Sequence, residues 1–160
     1  VINSLALGQA IESTGCRAVV MSAIQMPGIA LPYVRERALE VLAEGRILIA
    51  AAGTGNPFFT TDTAAALRAL ELNADALFKA TKVDGVFDSD PELNPGAKHF
   101  FRLSYSEVIA RNLKVMDLTA ISLAMEKRLP VVVFNIRKAG NILRAAQGEN
   151  IGTLITGDGL

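Results

Sequence analysis

The chain has 160 residues, 51% hydrophobic and 20% charged, with sixteen acidic and sixteen basic side chains in balance. That length and apolar content fit one packed domain and exclude a disordered chain. The zero net charge provides no broad field for nucleic acid or an anionic membrane, and no apolar run is long enough to span a bilayer.

A single cysteine and a single histidine exclude an internal disulfide and a cysteine or histidine metal cluster. Cys16, beside a strand-like run, is expected to be a buried and inert thiol, and His99 to be structural. No residue is singled out as a metal ligand.

The apolar positions Val1, Ile2, Leu5 and Ala6 begin a helical stripe that runs to about Glu12 and breaks at Thr14-Gly15. The chain therefore opens inside a helix and without methionine, which reads as a piece whose amino-terminal part is missing. Residues 17–23 form a short, nearly all-apolar strand, and Pro32 is expected to open a helix that runs to Gly45. Residues 46–52 form a second strand, followed by a glycine-bearing loop and a helix over about 62–73. A strand over 75–81 leads into a long connection, 82–98, beyond the ordinary length of such links. "FFRLS" reads as a short strand or a turn, and Ser104 with Glu107 has capping-box spacing. A helix over about 117–128 stops before Pro130, a strand covers 131–136, a helix covers about 139–147, and "GTLIT" closes the chain as a strand.

Strands alternate with helices and are almost wholly apolar, which predicts an α/β fold with a mainly parallel sheet between two helix layers, as one domain over residues 1–160. In such sheets ligands gather beyond the carboxyl ends of the strands. "GTGNPFFTTD", "TKVDGVFDSDP" and "LKVMD" each follow a strand or precede a helix, so they can meet at one edge.

In the first segment, glycines allow close backbone approach, and the next helix directs N–H groups and partial positive charge at whatever precedes it. Phosphate binding and a plain turn with a threonine cap are both open readings of Thr60 and Thr61. The spacing is neither that of a P-loop nor that of a dinucleotide fingerprint. Asp62 and Asp117 each stand at a helix start, where they serve as caps or, if the two loops converge, orient the attacking phosphate or hold Mg²⁺ in its outer sphere. In the second segment Asp84-Gly85 and Asp90-Pro91 read as turns. There Thr81 and Phe87 can flank a purine with Asp90 near its ribose, and Lys79 and Lys82 are candidate charges for a phosphoryl group.

"GTGNPFFTTDTAAALRALEL", "KATKVDGVFDSDP" and "LKVMDLTAISLAMEKRLPVVVFN" together resemble bacterial uridylate kinases, a branch of the amino acid kinase superfamily. The Asp-Gly-Val-Phe-x-x-Asp-Pro element is specific only to the superfamily, whereas the Gly-Thr-Gly-Asn-Pro-Phe-Phe-Thr-Thr-Asp stretch is specific to the UMP-phosphorylating branch. The resemblance extends from Val1 to about Thr156. It implies the carbamate kinase-like fold of that superfamily, here its carboxy-terminal two thirds, and transfer of the ATP γ-phosphoryl group to UMP with Mg²⁺.

Carried across residue by residue, Thr54, Gly55, Asn56, Pro57, Phe58, Phe59, Thr60 and Thr61 match the UMP-binding loop. Thr81, Phe87 and Asp90 match ATP-binding positions, and Asp62 and Asp117 match acidic residues important for transfer. The resemblance also implies a cytoplasmic homohexamer with GTP and UTP as effectors. The family's amino-terminal Lys-Leu-Ser-Gly and Gly-Gly-Gly-Asn segments and an upstream aspartate have no match in this sequence. The isolated chain is therefore expected to be weakly active or inactive and the parent protein active. Two rival readings are an aspartokinase-like enzyme and a non-catalytic nucleotide-binding fragment.

Overall fold

The run of branched and apolar side chains that follows Arg17 forms a strand in the computed structural model, which describes residues 1–157. The chain divides into two compact units, Val1–Leu72 and Asn73–Leu160.

In the first unit the elements are α1 (Ile2–Ser13), β1 (Ala18–Ser22), β2 (Leu31–Pro32), α2 (Arg35–Ala43), β3 (Ile47–Ala51) and α3 (Thr61–Glu71). Their strands lie in the order β2-β1-β3, all parallel, with Ala18 opposite Ile47 and Ser22 opposite Ala51. Parallel neighbours need a crossover, and α2 lies in the one that returns the chain to place β3 beside β1. Val19 and Met21 of β1 pack with Ala38 and Val41 of α2, and Tyr33, Leu48 and Leu72 close around them.

Two expectations fail in this unit. Pro32 does not open a helix: it pairs with Ser22 in β2, and α2 begins only at Arg35 after an extended Val34. Because β2 is an edge strand, the missing proline N–H leaves no neighbour unpaired. Cys16 is exposed, because the buried part of the apolar run begins after it.

The second unit contains β4 (Leu77–Thr81), β5 (Val86–Phe87), β6 (His99–Phe100), β7 (Arg102–Ser104), α4 (Tyr105–Ala110), α5 (Leu118–Glu126), β8 (Val131–Asn135), α6 (Asn141–Ala146) and β9 (Thr153–Thr156). Its main sheet has the order β4-β8-β9-β7. The β4–β8 and β7–β9 pairs are parallel, and β8–β9 is antiparallel. α6, with six residues, lies in the link from β8 to β9. Val131 and Ile155 are fully buried at this junction. Burying a side chain of that size contributes about 1.5–3 kcal/mol.

The long connection contains structure that its composition conceals. β5 and β6 form an antiparallel hairpin, with Val86 opposite Phe100 and Phe87 opposite His99. "FFRLS" thus divides between β6 and β7. The capping box at α4 is formed: Ser104 Oγ accepts from Glu107 N at 3.1 Å, and Glu107 Oε2 accepts from Ser104 N at 2.9 Å.

Replacing Ser104 with alanine removes one acceptor of that box. Urea denaturation of the Ser104→Ala protein is expected to show a loss of about 1 kcal/mol. An unchanged midpoint would mean that the box contributes nothing to the fold.

Candidate functional site

In the first unit the functional candidate is the 53–61 loop between β3 and α3. Four residues near it adopt left-handed backbone: Ala52 (φ 65°), Gly53 (φ 61°), Gly55 (φ 77°) and Phe58 (φ 70°). For Ala52 and Phe58 this conformation is disfavoured by their Cβ atoms, so the surroundings must enforce it. The loop bonds to itself. Gly55 N donates to Ala52 O at 3.1 Å, Asn56 N donates to Thr54 Oγ1 at 3.1 Å, and Thr54 Oγ1 donates to Asn56 O at 3.2 Å. A Cβ at Gly55 would lie 3.0 Å from the carbonyl oxygen of Ala23, so glycine is needed there for space as well as for its φ.

A charged side chain of α3 holds the loop from behind. Arg68 Nη2 donates to Gly53 O at 3.3 Å, and Nη1 meets Glu71 Oε2 at 2.6 Å. The same guanidinium stacks 3.9 Å above the Tyr33 ring, and the Tyr33 hydroxyl donates to Glu71 Oε2 at 2.8 Å. Burial, followed by the Glu71 carboxylate, pushes the Tyr33 phenol up to about 12. Tyr33 therefore stays neutral at any physiological pH.

At the far end Thr60 is the cap of α3, its hydroxyl accepting from Asp62 N at 3.1 Å and Thr63 N at 3.2 Å. The cap is formed, and it uses two of the helix's four leading N–H groups. Thr61 and Asp62 stand in the first turn. Pro57, Phe58 and Phe59 form an exposed tip, with Phe58 fully exposed.

In the second unit a cleft of about 600 Å³ brings Thr81, Phe87 and Asp90 together in one lining. Thr81 ends β4, and its hydroxyl turns the chain by accepting from Val83 N at 3.1 Å and donating to Val83 O at 2.8 Å. Asp90 is held in its turn by Glu92 N, which donates to Oδ1 at 2.9 Å. Asp88 accepts from Lys98 N at 2.9 Å, and that bond holds its carboxyl below the ordinary range.

The cations of this cleft are Arg111 and Lys114; Lys79 and Lys82 are not in its lining. Sequence reasoning marked "LKVMD" but not these two side chains. The available signal was Asn112, which follows the end of α4 in left-handed backbone (φ 49°) and lies between the two cations in the lining.

Asp84 and Gly85 explain the Asp-Gly part of the motif. A Cβ at Gly85 would overlap His99 Nε2 and Thr153 Oγ1, so no other residue fits without displacing them. Asp84 Oδ1 meets Lys138 Nζ at 2.7 Å and Asn135 Nδ2 at 3.1 Å, and these bonds hold its carboxyl below the ordinary range. Asp117 caps α5, its Oδ1 accepting from Ala120 N at 3.1 Å. Of the two aspartates, Asp62 belongs to the first unit and Asp117 to the second.

The sequence profile of the amino acid kinase family matches residues 1–135. A chloroplastic uridylate kinase of Arabidopsis thaliana, PUMPKIN, is 54% identical over 157 residues, which is 98% of this chain and 46% of that protein. The crystal structure of UMP kinase from Bacillus anthracis superposes with a TM-score of 0.94 at 43% identity, over 98% of this chain and 65% of that one. UMP kinase from Ureaplasma parvum superposes with a TM-score of 0.91 at 34% identity, over 97% and 66%. The chain thus spans just under half of the curated relative and about two thirds of these two solved ones.

The Asp84 ion pair has a pH signature. Because the folded carboxyl lies below its unfolded value, its stabilisation is present above the ordinary aspartate range and lost as pH falls through the lowered value. In an NMR titration the Asp84 carboxyl of the Lys138→Met protein is expected to titrate at higher pH than in the wild type. Coincident curves would mean that the pair does not act on Asp84 in solution.

Proposed function

The chain belongs to the amino acid kinase family, and from that premise we propose that it is the catalytic part of a UMP kinase. The reaction is transfer of the ATP γ-phosphoryl group to UMP, giving UDP and ADP. The observation that carries the reading is the cleft of the second unit. It gathers the aromatic ring, hydroxyl and carboxylate of Phe87, Thr81 and Asp90 from one segment with the cations Arg111 and Lys114 from another. The names of the relatives, uridylate kinase and UMP kinase, support the choice of acceptor.

In this reading the cleft takes ATP. Thr81 and Phe87 flank the base, Asp90 lies toward the ribose, and Arg111 and Lys114 offset the charge of the phosphates. The 53–61 loop takes UMP through Thr54, Gly55, Asn56, Pro57, Phe58, Phe59, Thr60 and Thr61. A phosphate oxygen of UMP forms the new bond to the γ-phosphorus as the bond to the bridging oxygen of ADP breaks. That oxygen is already ionised at neutral pH, so the protein need supply little beyond alignment and charge compensation. Asp62 and Asp117 act by orientation and field rather than by proton abstraction.

Among the described residues no three His, Cys, Asp or Glu side chains gather to hold a metal ion. Mg²⁺ carried on ATP phosphates needs only one or two carboxylates, and Asp88, Asp90 and Glu92 line the same cleft. When bound, the ion would neutralise phosphate charge. A homohexamer with GTP and UTP as effectors belongs to the same proposal. The compartment proposed is aqueous, the cytoplasm or, as the name of the plant relative indicates for that protein, a plastid.

The direct test compares UMP, CMP and aspartate as acceptors in a coupled ADP-release assay on the full-length protein. UMP is expected to be strongly preferred, and preference for aspartate would refute the reading. Calorimetric binding of UMP and ATP without turnover would instead make the chain a non-catalytic module.

Asp117 allows charge to be separated from capping, because asparagine caps a helix as well as aspartate does. Asp117→Asn is expected to keep the fold and lower kcat by roughly 100-fold, the scale of losing one electrostatic element of an active site. Asp117→Ala should add a stability loss of about 1 kcal/mol. Undiminished kcat in Asp117→Asn would reduce Asp117 to a cap.

A further inference from the structure

The aromatic wall of the cleft is a two-residue strand, β5, which is too short to hold its own position. Its fixation comes from the fully buried hydroxyl of Thr153 in β9. Val86 N donates to Thr153 Oγ1 at 2.8 Å, and Thr153 Oγ1 donates to Phe100 O. Val86 and Phe100 are register partners, so the hydroxyl relays one rung of the β5–β6 ladder. Thr153 Oγ1 also lies 3.3 Å from His99 Nε2.

Proton counting fixes the character of that last contact. A hydroxyl has one proton and two lone pairs. The carbonyl of Phe100 can only accept, so it takes the proton. The amide of Val86 can only donate, so it takes one lone pair. What remains toward His99 is the second lone pair, which requires a hydrogen on Nε2. The ring so oriented is the cross-strand partner of Phe87, with centroids 5.0 Å apart. Phe101 also packs against it edge-on, with centroids 4.8 Å apart. Gly85 closes the arrangement, since a Cβ there would displace both His99 and Thr153.

We infer that Thr153 and an Nε2-protonated His99 are positioning residues that set the Phe87 wall of the cleft. Neither side chain is in the cleft lining. They act through Phe87: the hydroxyl fixes the strand and selects the histidine tautomer, and the imidazole backs the ring. The consequence for adenine nucleotide rests on the function proposed above; the tautomer does not.

His99 is the only histidine, so the imidazole region of a ¹H–¹⁵N spectrum reports on it alone. At a pH where the ring is neutral, the wild-type protein is expected to show the Nε2–H form. Thr153→Val, which keeps shape and removes the hydroxyl, should shift the balance toward Nδ1–H. Thr153→Ser, which keeps the hydroxyl, should restore it. An Nδ1–H ring in the wild type, or a ring indifferent to Thr153→Val, overturns the inference whether or not nucleotide binds. Should Thr153→Val fail to fold, the wild-type tautomer and the Thr153→Ser spectrum still decide it.

The second arm is ATP affinity. Thr153→Val and His99→Gln are each expected to weaken calorimetric ATP binding by about fivefold or more, the scale of one unsatisfied buried polar group. In turnover the KM for ATP should rise with kcat unchanged, and Thr153→Ser should stay near the wild type. Wild-type binding that neither substitution alters would overturn the positioning role. If wild-type protein binds no ATP, the nucleotide reading fails instead, and the tautomer alone judges this inference.

Discussion

A helix that follows a strand begins with backbone N–H groups that no carbonyl of the helix can reach. Three helices here meet that constraint with the side chain just before their first residue: Thr60 and Asp117 at the ends of links, for α3 and α5, and Ser104 at the end of β7, for α4. The other three, α1, α2 and α6, have no side-chain cap bond. The capped starts follow or border the segments that carry the proposed chemistry. Each cap fixes where its link must end, and so fixes what the link can present. Thr60 sets the end of the 53–61 loop, and Asp117 sets the end of the segment that delivers Lys114 to the cleft.

The links themselves are held by contacts that do not depend on a ligand. Arg68 reaches back from α3 to Gly53 while it is stacked on Tyr33 and paired with Glu71. Asp84 is tied to Lys138 and Asn135, and Gly85 is packed without spare space against His99 and Thr153. Such preorganisation suits phosphoryl transfer, in which the protein supplies alignment and charge more than bonds. The exposed ring of Phe58 and the left-handed backbone at Ala52 and Phe58 are local costs in that loop. In the proposed function they are the part that awaits the acceptor.

Much of this was readable in the residues. The apolar runs located β1, β3, β4, β8 and β9, and the Ser104–Glu107 spacing located the capping box, because both depend on neighbours in sequence. Thr81, Phe87 and Asp90 came together as one lining because strand ends and their links define a sheet edge. Other features depend on partners distant in sequence, and these were missed. The β5–β6 hairpin needs Thr153 to hold it, so Val86 and Phe87 looked like part of a loop. Arg111 and Lys114 line the cleft on either side of the left-handed Asn112, a turn that no apolar pattern marks. Pro32 was misread because a proline that opens a helix and one that ends an edge strand look alike until the neighbouring strand is known. Cys16 lies just outside a buried run, and a boundary of two residues decided its exposure.

The claim most open to direct trial is that one nucleotide enters the cleft of the second unit and the other the loop of the first. Amide chemical-shift mapping of the labelled protein tests it, with a non-hydrolysable ATP analogue and UMP titrated separately. The account predicts saturable shifts at Thr81, Phe87, Asp90, Arg111 and Lys114 with the analogue, and at residues 53–61 with UMP. Shifts from the analogue confined to the 53–61 loop, or no saturable shift from either nucleotide, would contradict it.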